Sequence, residues 1–216
     1  MSSEKSRLDQ AHGRGDFFKS LGKLVAGFVA EQVEDAVTSA GPSLLRPPGA
    51  QDELAFLTAC TRCDLCMLAC PQGSILTASP SAVLAMGTPY ISPRAMPCFL
   101  CEDLPCITAC RDGALAWPLR TIKGEAVEGP RAVHMGVAVV DPGRCVTFPR
   151  EEEPALACQT CFDRCPYPEE AIRMVLPPEG EVPRPEVVAE ACTGCGLCVF
   201  GCATSVTSIQ IEPRRG

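Results

Sequence analysis

The stretch CTRCDLCMLACP, residues 60–71, places four thiols and a proline within one short segment, more soft ligand than an ordinary hydrophobic core can use. The rest of the chain makes the question sharper. Aromatic residues are 5% of the 216, while 21 prolines and 18 glycines break up any long regular element. Large side chains are therefore not the main filling of the interior. The 16 cysteines are what remains to do it, because small domains without a sufficient apolar core are held by disulfides or metals.

The cysteines fall into four groups. The first is Cys60, Cys63, Cys66 and Cys70, followed by Pro71. The second is Cys98, Cys101, Cys106 and Cys110, with a lengthened middle interval and Arg111 in place of the proline. The third begins at Cys145, crosses an insertion with the acidic run Glu151–Glu153, and resumes as Cys158, Cys161 and Cys165 before Pro166. The fourth is Cys192, Cys195, Cys198 and Cys202, followed by Ala203. This is an internal repeat with two regular and two modified members.

C-x2-C-x2-C-x3-C-P is the bacterial ferredoxin spacing: three close thiolates wrap one 4Fe-4S cube and the fourth reaches a second cluster. The proline redirects the chain without leaving a buried N–H unpaired. Gly194 and Gly196 are expected to let the backbone approach inorganic sulfur. Tetrahedral zinc needs two C-x2-C pairs and would leave the repeated third and fourth thiols unexplained. Disulfides fit no better, since cysteines in such tight series are poorly placed for independent bridges and no convincing secretory signal accompanies them. All sixteen cysteines are therefore expected as iron ligands of four 4Fe-4S clusters.

Short apolar segments follow each group, at residues 72–76, 112–117, 169–176 and 207–211, and extended runs precede the third and fourth, at 134–143 and 184–191. These predict small strands flanking the cluster loops. The expected fold class is α+β: two ferredoxin-like 4Fe-4S modules with short strands and helices around the clusters, plus an N-terminal amphipathic helix. Residues 1–37 are read as that helix, with Asp16 as its N-cap and Phe18, Leu21, Val25, Phe28 and Val29 at helical spacing. Residues 38–50 form a Pro- and Gly-containing linker, 51–212 the four-cluster domain and 213–216 a tail. The helix packs either on its own domain or on a partner.

His12 reads as a solvated terminal residue and His134 as structural, beside the third group. Trp117 reads as packing, with a place between clusters as the alternative, and the glutamates at 151–153 as a solvated loop. No phosphate loop, nicotinamide or flavin fingerprint, or nucleophile triad occurs, so no catalytic residue is expected. The net charge of -7 argues against nucleic acid and points to a basic partner surface. No stretch approaches a membrane span.

Order and spacing together resemble the NapG/MauM-type polyferredoxins, within the wider four-cluster family that includes electron-transfer subunits of molybdenum oxidoreductases. FLTACTRCDLCMLACP, PCFLCEDLPCITAC, HMGVAVVDPGRC, the delayed CQTCFDRCP and ACTGCGLC carry the likeness, with LRPPGA at 45–50 as a similar lead-in, over residues 44–211. Asp64 stands where relatives often have glycine.

The resemblance implies electron relay between a donor, such as a quinol-oxidising membrane protein or another reductase, and a redox partner protein or catalytic oxidoreductase subunit. An accessory maturation or redox-sensing role is the alternative. It also implies that outer groups pair with each other and inner groups likewise: Cys60, Cys63 and Cys66 with Cys202; Cys192, Cys195 and Cys198 with Cys70; Cys98, Cys101 and Cys106 with Cys165; Cys145, Cys158 and Cys161 with Cys110. Sequential pairing stays open. RGDFFK, at 14–19, looks like a twin-arginine export motif that has lost its arginine pair, so the expected location is cytoplasmic, with the periplasm as the alternative.

Overall fold

The computed structural model describes residues 43–150, 153–178 and 180–214. The expected N-terminal helix, His12 and the RGDFFK segment lie outside the described residues, as do Glu151 and Glu152. Within them the chain is a mixture of short helices and short strands, in keeping with the α+β expectation.

The helices are α1 (Glu53–Ala59), α2 (Leu65–Ala69), α3 (Pro105–Thr108), α4 (Thr160–Asp163) and α5 (Leu197–Gly201). α1 starts at Asp52, whose carboxylate accepts the Ala55 N–H at 2.9 Å, and carries Glu53 in its first turn, a favourable place for negative charge. The other four are single turns that each carry the third cysteine of a group, so the ligand spacing and not helix propensity sets their length.

The strands are β1 (Ile75–Thr77), β2 (Pro89–Ile91), β3 (Leu119–Ile122), β4 (Glu125–Glu128), β5 (Gly136–Val140), β6 (Ile172–Val175), β7 (Arg184–Val187) and β8 (Ile209–Pro213). They form four antiparallel pairs, β1-β2, β3-β4, β5-β8 and β6-β7. β5, before the third group, pairs with β8, after the fourth, while β6 and β7, which lie between those groups, pair with each other. The first half follows the same wiring with fewer residues: Ala50 bridges Leu115 across the outside of the first two groups, and β1-β2 lies between them.

The strand expected at 112–117 is thus only a single bridge. An unexpected hairpin, β3-β4, follows it. Its two turn residues, Lys123 and Gly124, have φ of 50° and 85°, the two positive values that match the twist of a two-residue hairpin.

The core runs through Leu45, Phe56, Ile91, Leu104, Val133 and Met135 and takes in Cys98, Cys106 and Cys195 as members. Arg46 is buried in it at 6% exposure. Its Nε donates to Glu53 at 2.8 Å, its Nη1 donates to Thr88 Oγ1 at 2.8 Å and to the Pro89 carbonyl at 2.9 Å, and its plane lies 4.7 Å above the Phe56 ring. One planar cation therefore clamps the lead-in, α1 and β2 together.

Gly194 is required by close approach: at φ +70° a Cβ would lie 2.5 Å from the backbone nitrogen of Gly136. At Gly196 a Cβ would meet the Pro93 side chain at 2.5 Å. The contacts that the fold gives for these two glycines are thus to β5 and to Pro93, a physical reason different from the expected approach to sulfur.

Two stability predictions follow from these contacts. Arg46→Ala leaves Glu53 without its partner, and breaking a buried charged network costs about 3 kcal/mol or more. For a chain of this size that lowers the melting temperature by roughly 5–10 °C, read anaerobically by circular dichroism. Gly194→Ala combines left-handed strain with overlap and should lose about 3 kcal/mol, whereas Asp64→Gly, at an exposed left-handed position with no side-chain cap bond, should change the midpoint by less than about a third as much.

Candidate metal centres

The loops that carry the first three cysteines of a group are built on left-handed corners. Arg62, Leu100 and Gly194 occupy the position before the second cysteine of groups one, two and four, with φ of 59°, 51° and 70°. Asp64, Leu104 and Gly196, the N-caps of α2, α3 and α5, repeat the device at φ of 59°, 41° and 84°. Alternating hands of backbone turn successive N–H groups to one side, an arrangement that suits anionic sulfur. The glycine place that Asp64 takes is indeed left-handed. The third group departs from this, for Gln159, which directly follows Cys158 and is the N-cap of α4, has φ of -133°.

These loops enclose pockets. One, about 360 Å³ including space open to solvent, is lined by Cys60, Cys63, Cys66 and Cys110 together with Phe56, Ala114 and Leu115. A second, about 350 Å³, is lined by Cys98, Cys101, Cys106 and Cys70 with Ile75, Ile91 and Leu104. A third, about 360 Å³, holds Cys192, Cys195, Cys198 and Cys165, and Cys161 also reaches its wall, with Ala138, Ile172 and Ile211. Cys145 and Cys158 lie near enough to Cys161 to raise its pKa, and Cys202 packs on the same apolar cluster as Cys161.

The thiols that line these pockets are not grouped outer with outer and inner with inner. Cys110, not Cys202, joins Cys60, Cys63 and Cys66, and Cys70 joins Cys98, Cys101 and Cys106. Cys165 joins the last group and not the second. The reason is strand wiring: β1-β2 folds group two back onto group one, and β6-β7 folds group four onto group three.

Hydrogen bonds already point at sulfur. The Ser74 and Ala138 N–H groups donate to Cys70 and Cys192 Sγ at 3.4 and 3.5 Å. The hydroxyls of Thr147, Thr160, Thr204 and Ser208 lie 3.2, 3.6, 3.1 and 3.3 Å from Cys145, Cys158, Cys202 and Cys202 respectively. No motif spacing marks these residues; the third position of C-x-T, repeated at 145, 158 and 202, is the one signal that could have found the threonines.

Burial pushes the thiols of Cys66, Cys161 and Cys165 up to about 11 and those of Cys98 and Cys106 up to about 12. Cys101, Cys195 and Cys198 are raised for the same reason. For Cys202 burial pulls the same way, but the Ser208 and Thr204 hydroxyls and backbone N–H groups outweigh it and hold the thiol down to about 7. Most of these sulfurs would stay protonated alone, so a cationic centre is what makes them ligands. Among the described residues no three His, Cys, Asp or Glu side chains converge closely enough to hold a single metal ion. The thiols ring their pockets instead.

His134 lies against the fourth group: its Nδ1 is 3.2 Å from the Cys192 carbonyl oxygen, and burial, with Arg120 and Arg214 nearby, lowers its pKa despite that bond. Trp117 is 45% exposed and rests beside Gly129, so it is not between thiol sets. Glu153 is exposed and pairs with Arg150 at 2.8 Å. Among the described residues the buried side-chain nitrogens without a hydrogen-bond partner are Arg120 Nε and Nη2 and Arg184 Nε. No described helix is long and apolar enough to cross a membrane.

No protein-family model matches the chain. It is 36% identical over 204 residues to the ferredoxin-type protein NapG of Escherichia coli, covering 92% of this chain and 83% of that one. It is 37% identical over 220 residues to the methylamine utilization ferredoxin-type protein MauM of Methylophilus methylotrophus, covering 99% and 92%, and 35% identical over 215 residues to MauM of Paracoccus denitrificans, covering 97% and 90%. Identity at this level over nearly the full length, on a scaffold of thiol-lined pockets, places the chain in the NapG/MauM family of ferredoxin-type proteins.

Proposed function

We propose that the chain carries four 4Fe-4S clusters in two ferredoxin-like modules and relays electrons between a donor protein and a partner oxidoreductase. The observation that carries this is the lining of the pockets: in three of them, the first three cysteines of one group are met by the last cysteine of its neighbour. Carried to the remaining thiols, the rule assigns Cys60, Cys63, Cys66 and Cys110 to one cluster and Cys98, Cys101, Cys106 and Cys70 to the next. Cys192, Cys195, Cys198 and Cys165 hold a third, and Cys145, Cys158, Cys161 and Cys202 a fourth. The residues suit such a group, because four thiols, apolar walls and N–H donors to sulfur surround a gap and not a point. When bound, the clusters supply one-electron storage.

The chain's own residues do the rest. Leu104, Ile75, Ile172 and Ala138 keep water from the sulfurs, and the hydroxyls beside Cys145, Cys158 and Cys202 stabilise thiolate charge. The Cys98 N–H donates to the Cys195 carbonyl at 2.9 Å, which supports direct passage between the two modules through the second and fourth groups. We read the donor as a quinol-oxidising membrane protein or another reductase, and the location as cytoplasmic, on the broken arginine pair at Arg14 and Gly15.

Anaerobically purified protein should contain about 16 iron and about 16 acid-labile sulfide per chain, from four of each per cluster. Zinc without sulfide would remove the reading. Cys70→Ser should lose or alter about one quarter of that iron, and its electron paramagnetic resonance spectrum should match that of Cys106→Ser and differ from that of Cys63→Ser. A match to Cys195→Ser instead would restore the outer pairing.

A further inference from the structure

Among the described residues Arg120 is the side chain with two buried polar atoms unmet: its Nε and Nη2 have no hydrogen-bond partner there, against the single Nε of Arg184. Buried guanidinium nitrogens are otherwise paired, since leaving one unmet costs a few kcal/mol. Its placement is not accidental. Arg120 sits on β3, and the β3-β4 hairpin is docked on the segment that enters the fourth group. The Lys123 N–H donates to Glu190 Oε1 at 2.7 Å, and Ile122 packs in one cluster with Ala171 and Ala191, the residue before Cys192.

The ionisable groups near enough to act on Arg120 are Cys192, Glu190 and Arg214, and Arg120 in turn acts on His134. Glu190 accepts the Lys123 N–H and keeps its negative charge, and Arg214 repels. Of the two negative neighbours Cys192 acts the more strongly on Arg120, and its sulfur also receives the Ala138 N–H at 3.5 Å, so it is the group toward which the orphaned donors are drawn. His134, on the carbonyl side of Cys192, adds no compensating negative charge.

We propose that Arg120 is a potential-tuning residue: it supplies fixed positive charge and N–H donors at the Cys192 corner of the cluster held by Cys192, Cys195, Cys198 and Cys165, and raises that cluster's reduction potential. The inference rests on the cluster assignment proposed above. One-electron reduction adds a unit of negative charge to the cluster while no bond is made or broken, so a neighbouring cation favours the reduced form. Net charge and hydrogen bonds to sulfur are among the quantities that set cluster potentials. The hairpin, which no cysteine group needs for its ligands, then has a role in presenting that cation.

The test is an anaerobic potentiometric titration of the full chain at a poised electrode with mediators, each cluster followed by electron paramagnetic resonance. In Arg120→Met the reduced-to-oxidised ratio of one cluster at fixed potential should fall about tenfold, which is about 59 mV for one electron, with the other three unmoved. Arg120→Lys, which keeps the charge, should recover most of that change. Four unmoved midpoints in an Arg120→Met protein with full iron and sulfide overturn the inference, as does an equal shift of all four. Should Arg120→Met not retain its clusters, Arg120→Lys decides: a ratio within about threefold of the unmutated protein supports the charge, and a tenfold fall overturns it. Unmutated protein without sulfide would instead sink the cluster assignment, a separate and visible outcome.

Discussion

The constraint on which the rest of the structure depends is that, in the three pockets lined by groups one, two and four, no group of cysteines stands alone. Cys110 closes the pocket of group one, Cys70 that of group two and Cys165 that of group four. Each closing thiol sits at the end of a one-turn helix belonging to its neighbour, so the two loops of a pair must lie face to face. The antiparallel pairs β1-β2 and β6-β7 bring this about, because a strand leaving one loop returns directly into the next. Strands of three to five residues suffice for that task, and longer ones would carry the thiols past each other.

Holding thiols in such loops strains the backbone. Six corners in three groups are left-handed, and only two of the six are glycine. A non-glycine residue there costs about 1 kcal/mol or more, so the loops are kept in shape by what surrounds them. Arg62 is secured by its guanidinium, which donates to the Met86 carbonyl at 2.9 Å. Leu100 and Leu104 are secured by burial at 9% and 1%. The Arg46 clamp acts one step further out, fixing α1 and β2 on either side of the first pocket. Strain at the ligand loops and rigidity of the flanks are two sides of one balance.

What was legible in the sequence follows from this division. Ligand spacing is local, since two intervals of two residues announce a loop around one centre, and the expectation of sixteen thiolate ligands rests on those intervals and their lengthened variants. The extended runs beside groups three and four became β5, β6, β7 and β8, because alternating apolar residues say which face is covered. Which pocket Cys70, Cys110 and Cys165 line was not legible, since it depends on which strands pair, and strands of this length have no register signal strong enough to exclude the alternatives. The β3-β4 hairpin escaped notice for a related reason: Lys123-Gly124 makes a turn with positive φ at a residue that seldom adopts it. Nothing in the sequence marks Arg46 or Arg120, which are wholly and partly buried in the fold, because only tertiary packing decides that.

Exposure then grades the sites. Cys63 is exposed and its pocket opens beside Arg62 and Asp112, whereas Cys192, Cys195 and Cys198 are all buried. A charge on a cluster of the kind proposed would be screened by water in the first pocket; in the last it would have to be met by fixed dipoles and cations. The chain has both near Cys192: the Ala138 N–H on its sulfur and, within electrostatic reach, the Arg120 proposed above, in an otherwise acidic protein. Since the Cys98 and Cys195 loops are joined by a direct backbone bond, the most enclosed pocket is also an inner one. Water serves the edge of such a row, and protein charge has to serve its middle.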